Sequence, residues 1–253
     1  MRITSSLLML LLAVLTSSGC SIFHEYDDTV GLDASQLYNA GKEALAENNW
    51  EKAVSYYNKL ESRYPYGRYT QQAQLETAYA HYKNGENEAS IAAADRFIKL
   101  HPRHPNVDYA YYMRGLASFE PGKSFMERFF PQDKAARDPT FARDSFRYFS
   151  ELIERYPNSR YSQDAIQRMV YLRNSLARHE TQIADYYMRR GAPLAAANRG
   201  KYILEHYERT PSIPDALEIM IRAYREMEMD DLANDALQVL VKNHPERAAK
   251  FLQ

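Results

Sequence analysis

Residue sets that could carry out chemistry are scarce in this sequence. Gly122-Lys123-Ser124 ends like a phosphate-binding loop, whose lysine and hydroxyl would hold a phosphate and a magnesium ion. That loop also needs an earlier glycine at the position of Ala117, and a strand before it. Neither the His-Glu-x-x-His zinc motif nor the Gly-x-Ser-x-Gly nucleophile motif occurs. We therefore predict that the protein is not an enzyme and has no catalytic residues.

Metal and nucleic-acid sites are not indicated either. The chain has one cysteine, too few for a thiolate zinc site, and most of its histidines lie near predicted helix ends, where capping and surface roles are common. The net charge is −1, from 32 basic and 33 acidic residues, and lacks the basic surplus of a DNA or RNA binder. What remains is a surface that binds peptides or proteins, without metal or cofactor.

The N-terminal segment has the features of a secretory signal peptide. Met1-Arg2 gives a positive start, and the apolar run Leu7–Leu15 is too short to cross a bilayer. Small residues follow and lead to Cys20. We predict a signal peptide over 1–19 and a tether over 20–33.

Ser18-Gly19-Cys20 resembles the end of a bacterial lipobox. In lipoproteins of that type the cysteine becomes the first residue and carries a diacylglycerol and an N-acyl chain, which anchor it in a bilayer. The alternative is ordinary signal cleavage after Gly19. The residue that follows Cys20 is Ser21. An Asp at that position would resemble the signal that retains Gram-negative lipoproteins in the inner membrane. We therefore expect Cys20 to anchor the chain in the outer membrane, facing the periplasm.

The rest of the chain repeats. Its apolar periodic segments each close on a proline, and the last two of these prolines are 34 residues apart, the period of the tetratricopeptide repeat (TPR). The prolines are Pro65, Pro102, Pro157, Pro211 and Pro245. Paired TPR helices need small residues where they cross, and the register places Gly41 and Ala53 there, with the bulky Tyr57 beside them.

These signals predict an all-α TPR solenoid of about five repeats. An insertion at about 119–139 falls in repeat three, and repeat four begins with a long helix over 160–190. The predicted helices span 34–47, 50–63, 69–84, 87–100, 106–118, 140–156, 160–190, 193–208, 213–228 and 230–242, with a tail at 246–252.

In TPR proteins the first helices of the repeats line a shared binding face. Their groove positions carry tyrosines and two lysines, which suit an extended peptide with aromatic side chains and a C-terminal carboxylate. The predicted peptide-binding residues are Tyr38, Lys42, Tyr79, Tyr82, Lys83, Tyr109 and Tyr112. The alternative is that these tyrosines are TPR packing.

Over about 34–245 the chain resembles the BamD family, TPR lipoproteins of the outer-membrane β-barrel assembly machinery. The segments that carry the resemblance include Arg63–Gly67, His104-Pro105-Asn106, Tyr112–Leu116, Arg137-Asp138-Pro139 and Ala197-Asn198-Arg199. The resemblance implies that repeats over 34–156 receive C-terminal aromatic signals of unfolded barrel proteins. It also implies that repeats over 157–253 dock the periplasmic domains of BamA and smaller lipoproteins.

The same resemblance implies that Asn198 and Arg199 bind an acidic residue of BamA. Arg199 has no carboxylate four residues away on its helix, since those positions are Ala195 and Ile203. We expect a guanidinium available to a partner, and an Arg199→Glu protein that folds nearly normally. The alternative is a pair with a carboxylate of an adjacent helix.

Two other functions stay open. One is a pilotin-like TPR lipoprotein that serves a secretin or pilus. The other is a cell-wall-associated competence lipoprotein with hydrolytic activity, which would need a converging pair of carboxylates.

Overall fold

The computed structural model describes residues 29–119 and 139–252, and every regular element within those ranges is helical. The elements belong to one compact unit that begins at Ala34. They are α1 (Ala34–Ala46), α2 (Trp50–Arg63), α3 (Arg68–Lys83), α4 (Asn87–Leu100), α5 (Val107–Phe119), α6 (Thr140–Arg155), α7 (Ser162–Arg189), α8 (Pro193–His206), α9 (Ile213–Glu226), α10 (Asp230–Asn243) and α11 (Pro245–Ala248), followed by a 3-10 turn over Ala249–Phe251. The all-α prediction is confirmed, and the predicted bounds of α1 to α10 differ from these by two residues or fewer.

Some predictions fall outside the described residues. These are the signal peptide over 1–19, Cys20, most of the 20–33 tether and most of the insertion, including Gly122-Lys123-Ser124 and the aromatic residues Phe125, Phe129 and Phe130. Phe119, the first aromatic residue of the insertion, is described. Its ring packs 6.4 Å from that of Phe149 and 5.6 Å from that of Tyr171.

The helices pack in pairs, α1 with α2 through to α9 with α10, and each pair also contacts the next. Four of the five pairs turn in the same way. A residue with positive φ follows the first helix, at Asn48, Gly85, Gly191 and Glu228. The next N–H then reaches back to a carbonyl five residues earlier, as from Asn49 to Ala44, which is the Schellman end of a helix. The fifth pair, α5 and α6, is joined by the insertion.

Small residues at the crossings let the paired helices approach closely. A Cβ on Gly41 would lie 2.2 Å from the Tyr57 ring, and one on Gly115 would lie 2.3 Å from the Phe149 ring. Ala53 is fully buried, as is Ala196 in repeat four. The predicted crossing residues Gly41 and Ala53 are therefore in register, and Gly115 and Ala196 take equivalent places in later repeats.

Two crossings use serine where other repeats have alanine. Ser90 Oγ donates a hydrogen bond of 2.8 Å to the Ala78 carbonyl, and Ser145 Oγ donates one of 2.9 Å to the Gly115 carbonyl. Both hydroxyls are buried and need such a partner. The serines thus tie the second helix of a repeat to the backbone of the first.

The sequence Arg-Tyr-Pro occurs at 63–65 and again at 155–157, and each of these two segments joins one repeat to the next. After the first segment, Thr70 Oγ1 donates to the Tyr64 carbonyl, and after the second, Ser162 Oγ donates to the Tyr156 carbonyl at 2.9 Å. These carbonyls stand where α2 and α6 end, and the hydroxyl of the following helix satisfies them. The two segments are alike because they make the same junction.

Candidate peptide groove and docking site

The first helices of the repeats share one face, because α1 contacts α3, α3 contacts α5, and α5 contacts α7. All seven predicted peptide-binding residues belong to these helices. Tyrosines run along the face, and we call five of them the tyrosine row. The row consists of Tyr38, Tyr79, Tyr109, Tyr112 and Tyr161.

A carboxylate, Glu76, organises the first end of the row. Tyr38 Oη donates to its Oε1 at 2.8 Å, and Tyr57 Oη donates to its Oε2 at 2.5 Å. Burial, followed by these hydrogen bonds, raises the pKa of both tyrosines. Lys42 Nζ lies 3.6 Å from Glu76 Oε1. The ammonium group of Lys42 is therefore already paired within the chain.

Lys83 has a different environment. Its ammonium group lies 5.6 Å from the centre of the Trp50 ring, and the Trp50 ring meets that of Tyr79 edge-on at 6.2 Å. Trp50 begins α2, the second helix of repeat one, and is not among the predicted peptide-binding residues. The exposed Lys83 and its aromatic neighbours form a corner that is both cationic and apolar.

A second carboxylate, Asp164, organises the other end of the row. Tyr112 stacks on Tyr161, with ring centres 4.7 Å apart, and donates a hydrogen bond of 2.6 Å to Asp164 Oδ2. Arg168 Nε binds the same oxygen at 2.6 Å. Burial, together with the hydrogen bond to Asp164, raises the pKa of Tyr112 to about 12. This phenol stays protonated at neutral pH.

Tyr109 links the two ends of the row. Burial raises its pKa, and the electrostatic influence of Tyr161, Tyr79 and Glu76 raises it further, so all three lie within reach of one phenol. Four of the predicted peptide-binding tyrosines also pack against the buried core around Phe97 and Phe149: Tyr79, Tyr82, Tyr109 and Tyr112. These four therefore have the packing role that the alternative assigns to them.

The predicted partner-binding pair lies on α8. Asn198 is exposed. Arg199 Nη1 donates a hydrogen bond of 2.8 Å to Oε2 of Glu180, a buried carboxylate on α7. Arg199 thus has no carboxylate partner on its own helix but pairs with one on the adjacent helix α7, as the alternative has it, and its side chain stays 40% exposed. Arg199→Glu would place a second carboxylate beside the buried Glu180, so the structure argues for a destabilised variant instead of a nearly normal one.

Sequence reasoning missed Glu76, Tyr161, Asp164 and Glu180. The contacts that connect them to the predicted residues come from other helices, and the hydrogen bond from Tyr112 to Asp164 spans 52 residues. No spacing within one repeat signals such a contact. Within residues 29–119 and 139–252, no cluster of His, Cys, Asp and Glu could hold a metal ion.

Helix pairs with small crossing residues and a shared first-helix face define a TPR-type protein. A family model described as "Outer membrane lipoprotein" matches residues 31–240. The chain belongs to this family, and the resemblance seen in the sequence is confirmed. Association with the outer membrane follows from that membership. None of the described helices is long and apolar enough to span a membrane.

Curated relatives carry the name "Outer membrane protein assembly factor BamD". The one from Neisseria meningitidis serogroup B is 44% identical over 83% of this chain and 79% of its own length. The one from Vibrio cholerae is 37% identical over 92% of this chain and 96% of its own length. Among solved structures, a TPR protein of Thermus thermophilus matches 87% of this chain and 100% of its own at 13% identity, with a TM-score of 0.37.

Proposed function

We propose that this lipoprotein is a non-enzymatic assembly factor for outer-membrane β-barrel proteins. Its first-helix groove binds the C-terminal aromatic signals of unfolded barrels. Its later repeats, over 157–253, dock BamA periplasmic domains and smaller Bam lipoproteins. The observation that carries the proposal is the tyrosine row, in which half-buried tyrosines from four successive repeats lie along one face and could pack against aromatic side chains of a peptide.

Lys83 is the cation that receives the peptide carboxylate. Lys42 is paired with Glu76 at 3.6 Å, whereas the exposed Lys83 stands over Trp50. An aromatic residue at the end of a peptide would then contact Trp50 and Tyr79 while its terminal carboxylate meets the ammonium group.

The test uses a labelled peptide from the C-terminus of a barrel protein, with either a free or an amidated terminus. We expect wild type to bind the free acid several-fold more tightly, and Lys83→Gln to lose that preference. Lys99→Gln, an exposed lysine on the second helix α4, is the matched control and should keep it. The preference should weaken as salt is added, because exposed charges are screened. Equal binding of acid and amide by wild type would contradict the carboxylate role of Lys83.

The remaining part of the proposal is the anchor. Cys20 carries the diacylglycerol and N-acyl chains, and several acyl chains together give stable attachment to the bilayer. The residues from Cys20 to Asp33 would then connect the lipid to α1. Detergent phase partitioning of a Cys20→Ala protein tests the anchor, because normal processing and retention in the detergent phase would exclude it.

A further inference from the structure

The loops between repeats lie together at one edge of the array. Paired helices run in opposite directions, so the first helix of each repeat starts at this edge and the second helix ends there. Near the start of α1, the Tyr38 ring packs 5.5 Å from that of Tyr69 on α3. Ser159 Oγ, just before α7, donates a hydrogen bond of 2.6 Å to Asp108 at the start of α5. We call the following loops, each with two helical residues on either side, the junction edge: 64–67, 101–106, 156–161 and 207–212.

The two edges of the array differ in charge. The turn edge, at the other ends of the helices, is made in the same way from these turns: 47–49, 84–86, 190–192 and 227–229. Basic residues outnumber acidic ones along the junction edge, and acidic residues outnumber basic ones along the turn edge. The exposed arginines of the junction edge are Arg63, Arg68, Arg103, Arg155, Arg160 and Arg209. The net charge of −1 therefore conceals a separation of charge across the array, which would orient the protein at a charged surface.

Two of these arginines are held in the same way. The Arg68 guanidinium lies 4.9 Å from the centre of the Tyr69 ring, and that of Arg160 lies 4.7 Å from the centre of the Tyr161 ring. In each pair the guanidinium also donates a hydrogen bond to the tyrosine hydroxyl. Stacking on a neutral ring fixes a guanidinium without neutralising it. Within residues 29–119 and 139–252, neither arginine forms an ion pair, and the same is true of Arg103. Each therefore keeps N–H donors for an anion from outside.

Apolar surface accompanies the arginines. Tyr66, in the loop between α2 and α3, is 92% exposed, and Tyr64 and Leu100 are exposed at the same edge. Tyrosine rings are at home in the headgroup layer of a bilayer, where one end of the ring is wet and the other apolar. The planar fork of arginine matches the oxygens of a phosphate. Together these side chains suit phospholipid headgroups.

We propose that the junction edge faces the membrane and binds anionic phospholipid headgroups, with its arginines on the phosphates and Tyr66 in the interface. This inference rests on the proposed lipid anchor. α1 starts at this edge with Ala34, only 14 residues after Cys20, and an extended chain of that length spans at most about 50 Å. The anchor thus keeps this edge at high local concentration beside the bilayer, which favours a lipid surface over an acidic protein partner.

The test uses the lipidated full chain in vesicles of phosphatidylethanolamine and phosphatidylglycerol that carry a nitroxide on some headgroups. Cys20 is the only cysteine and its lipid blocks it, so an introduced cysteine is the sole site for a fluorophore. Tyr66→Cys places the fluorophore on the junction edge. Glu88→Cys, an exposed position at the start of α4, is the control on the turn edge, about 24 Å away along the sixteen residues of α3. We expect the nitroxide to quench the fluorophore at 66 several-fold more than the one at 88.

Charge variants test the arginines. Arg103→Gln with Arg160→Gln should reduce the quenching at 66 several-fold. Arg189→Gln with Arg190→Gln removes the same charge from the turn edge and should leave it unchanged. Added salt, or vesicles of phosphatidylcholine alone, should reduce the quenching in the parent protein. Thermal unfolding checks that each variant is folded.

Equal quenching at 66 and 88 in protein that floats with the vesicles would overturn the inference and leave the anchor intact. An edge that binds an acidic protein instead would give this result. Quenching at 66 that ignores the arginines and the lipid charge would also overturn the inference. Protein that fails to float with the vesicles would overturn the anchor, and the inference with it.

Discussion

Arg114, a buried side chain on α5, shows what one residue contributes to the array. Its guanidinium lies between the rings of Tyr111 and Tyr148, 4.7 and 4.6 Å from their centres. Nη1 donates to Asp95 at 2.9 Å, and Nη2 donates to Glu151 at 2.7 Å. These contacts join α4, α5 and α6, so one side chain links repeat two to both helices of repeat three.

Arg114→Ala should lower the free energy of unfolding by about 2 kcal/mol, because it removes a buried guanidinium, its ion pairs with two partly exposed carboxylates and two cation–π contacts. Arg114→Lys should recover only part of this, since an ammonium group cannot stack or bind two carboxylates in a fork. Urea titration followed by circular dichroism measures both. Lys201→Ala is the control, because it removes only an exposed pair with Glu205 and should cost less than about 1 kcal/mol. An Arg114→Ala protein as stable as this control would contradict the network.

At the scale of the element, the same turn is built with different residues. Gly191 occupies the left-handed position after α7, and Glu228 occupies the equivalent position after α9. Glycine adopts this conformation without strain, whereas a residue with a Cβ does so at a cost of about 1–2 kcal/mol.

Glu228→Gly should therefore raise the free energy of unfolding by about 0.5–1 kcal/mol, the relief of strain being partly offset by the greater freedom of glycine in the unfolded chain. Gly191→Ala is the reverse substitution, since it adds a Cβ at the left-handed position. A Cβ there meets nothing within 4 Å, so an expected loss of about 1 kcal/mol is purely conformational. Thermal unfolding of both variants measures the two changes in stability, which should have opposite signs. Changes of the same sign would exclude this account of the turn.

The helices and their crossings could be predicted because their signals are local. Pro65 and Pro157 mark helix ends, and Gly41 and Ala53 mark a close approach within one repeat. The candidate site could be predicted only in part. The positions of the tyrosines follow from the repeat register. The roles of Glu76 and Glu180 depend on contacts between neighbouring helices, α2 with α3 and α6 with α7. Such pairings depend on the angle between repeats, which sequence periodicity does not specify.

At the scale of the whole array, the last repeat is closed by the C-terminal segment. Leu217, Ile221 and Leu240 form an apolar cluster with Ala248, and Phe251 packs against it. Glu218 beneath this segment accepts hydrogen bonds of 2.6 Å from Arg247 Nε and from Lys250 Nζ. The segment therefore caps the end of the solenoid, as terminal repeats must.

The cap should be sensitive to acid. Burial alone would raise the pKa of Glu218, but hydrogen bonds from Arg247 and Lys250 outweigh it and hold that pKa below its ordinary value of 4.5. The carboxylate then stabilises the fold above pH 4.5, and this contribution is lost as the pH falls through the folded pKa. Glu218→Gln should thus be less stable than wild type at pH 7, with the difference shrinking below pH 4.5. Urea unfolding across this range measures it, and a constant difference would exclude the ionic role of Glu218.

The longest described helix has a mechanical consequence. α7 carries Asp164 near its start, where Tyr112 binds it, and Glu180 further along, where Arg143 of α6 and Arg199 of α8 bind it. Sixteen residues separate them, which is about 24 Å along a helix axis. Because α7 is one continuous helix, a tilt of the helix at Asp164 also displaces Glu180. The contact of Tyr112 with Asp164 and the contacts of Arg143 and Arg199 with Glu180 can therefore move independently only if α7 bends.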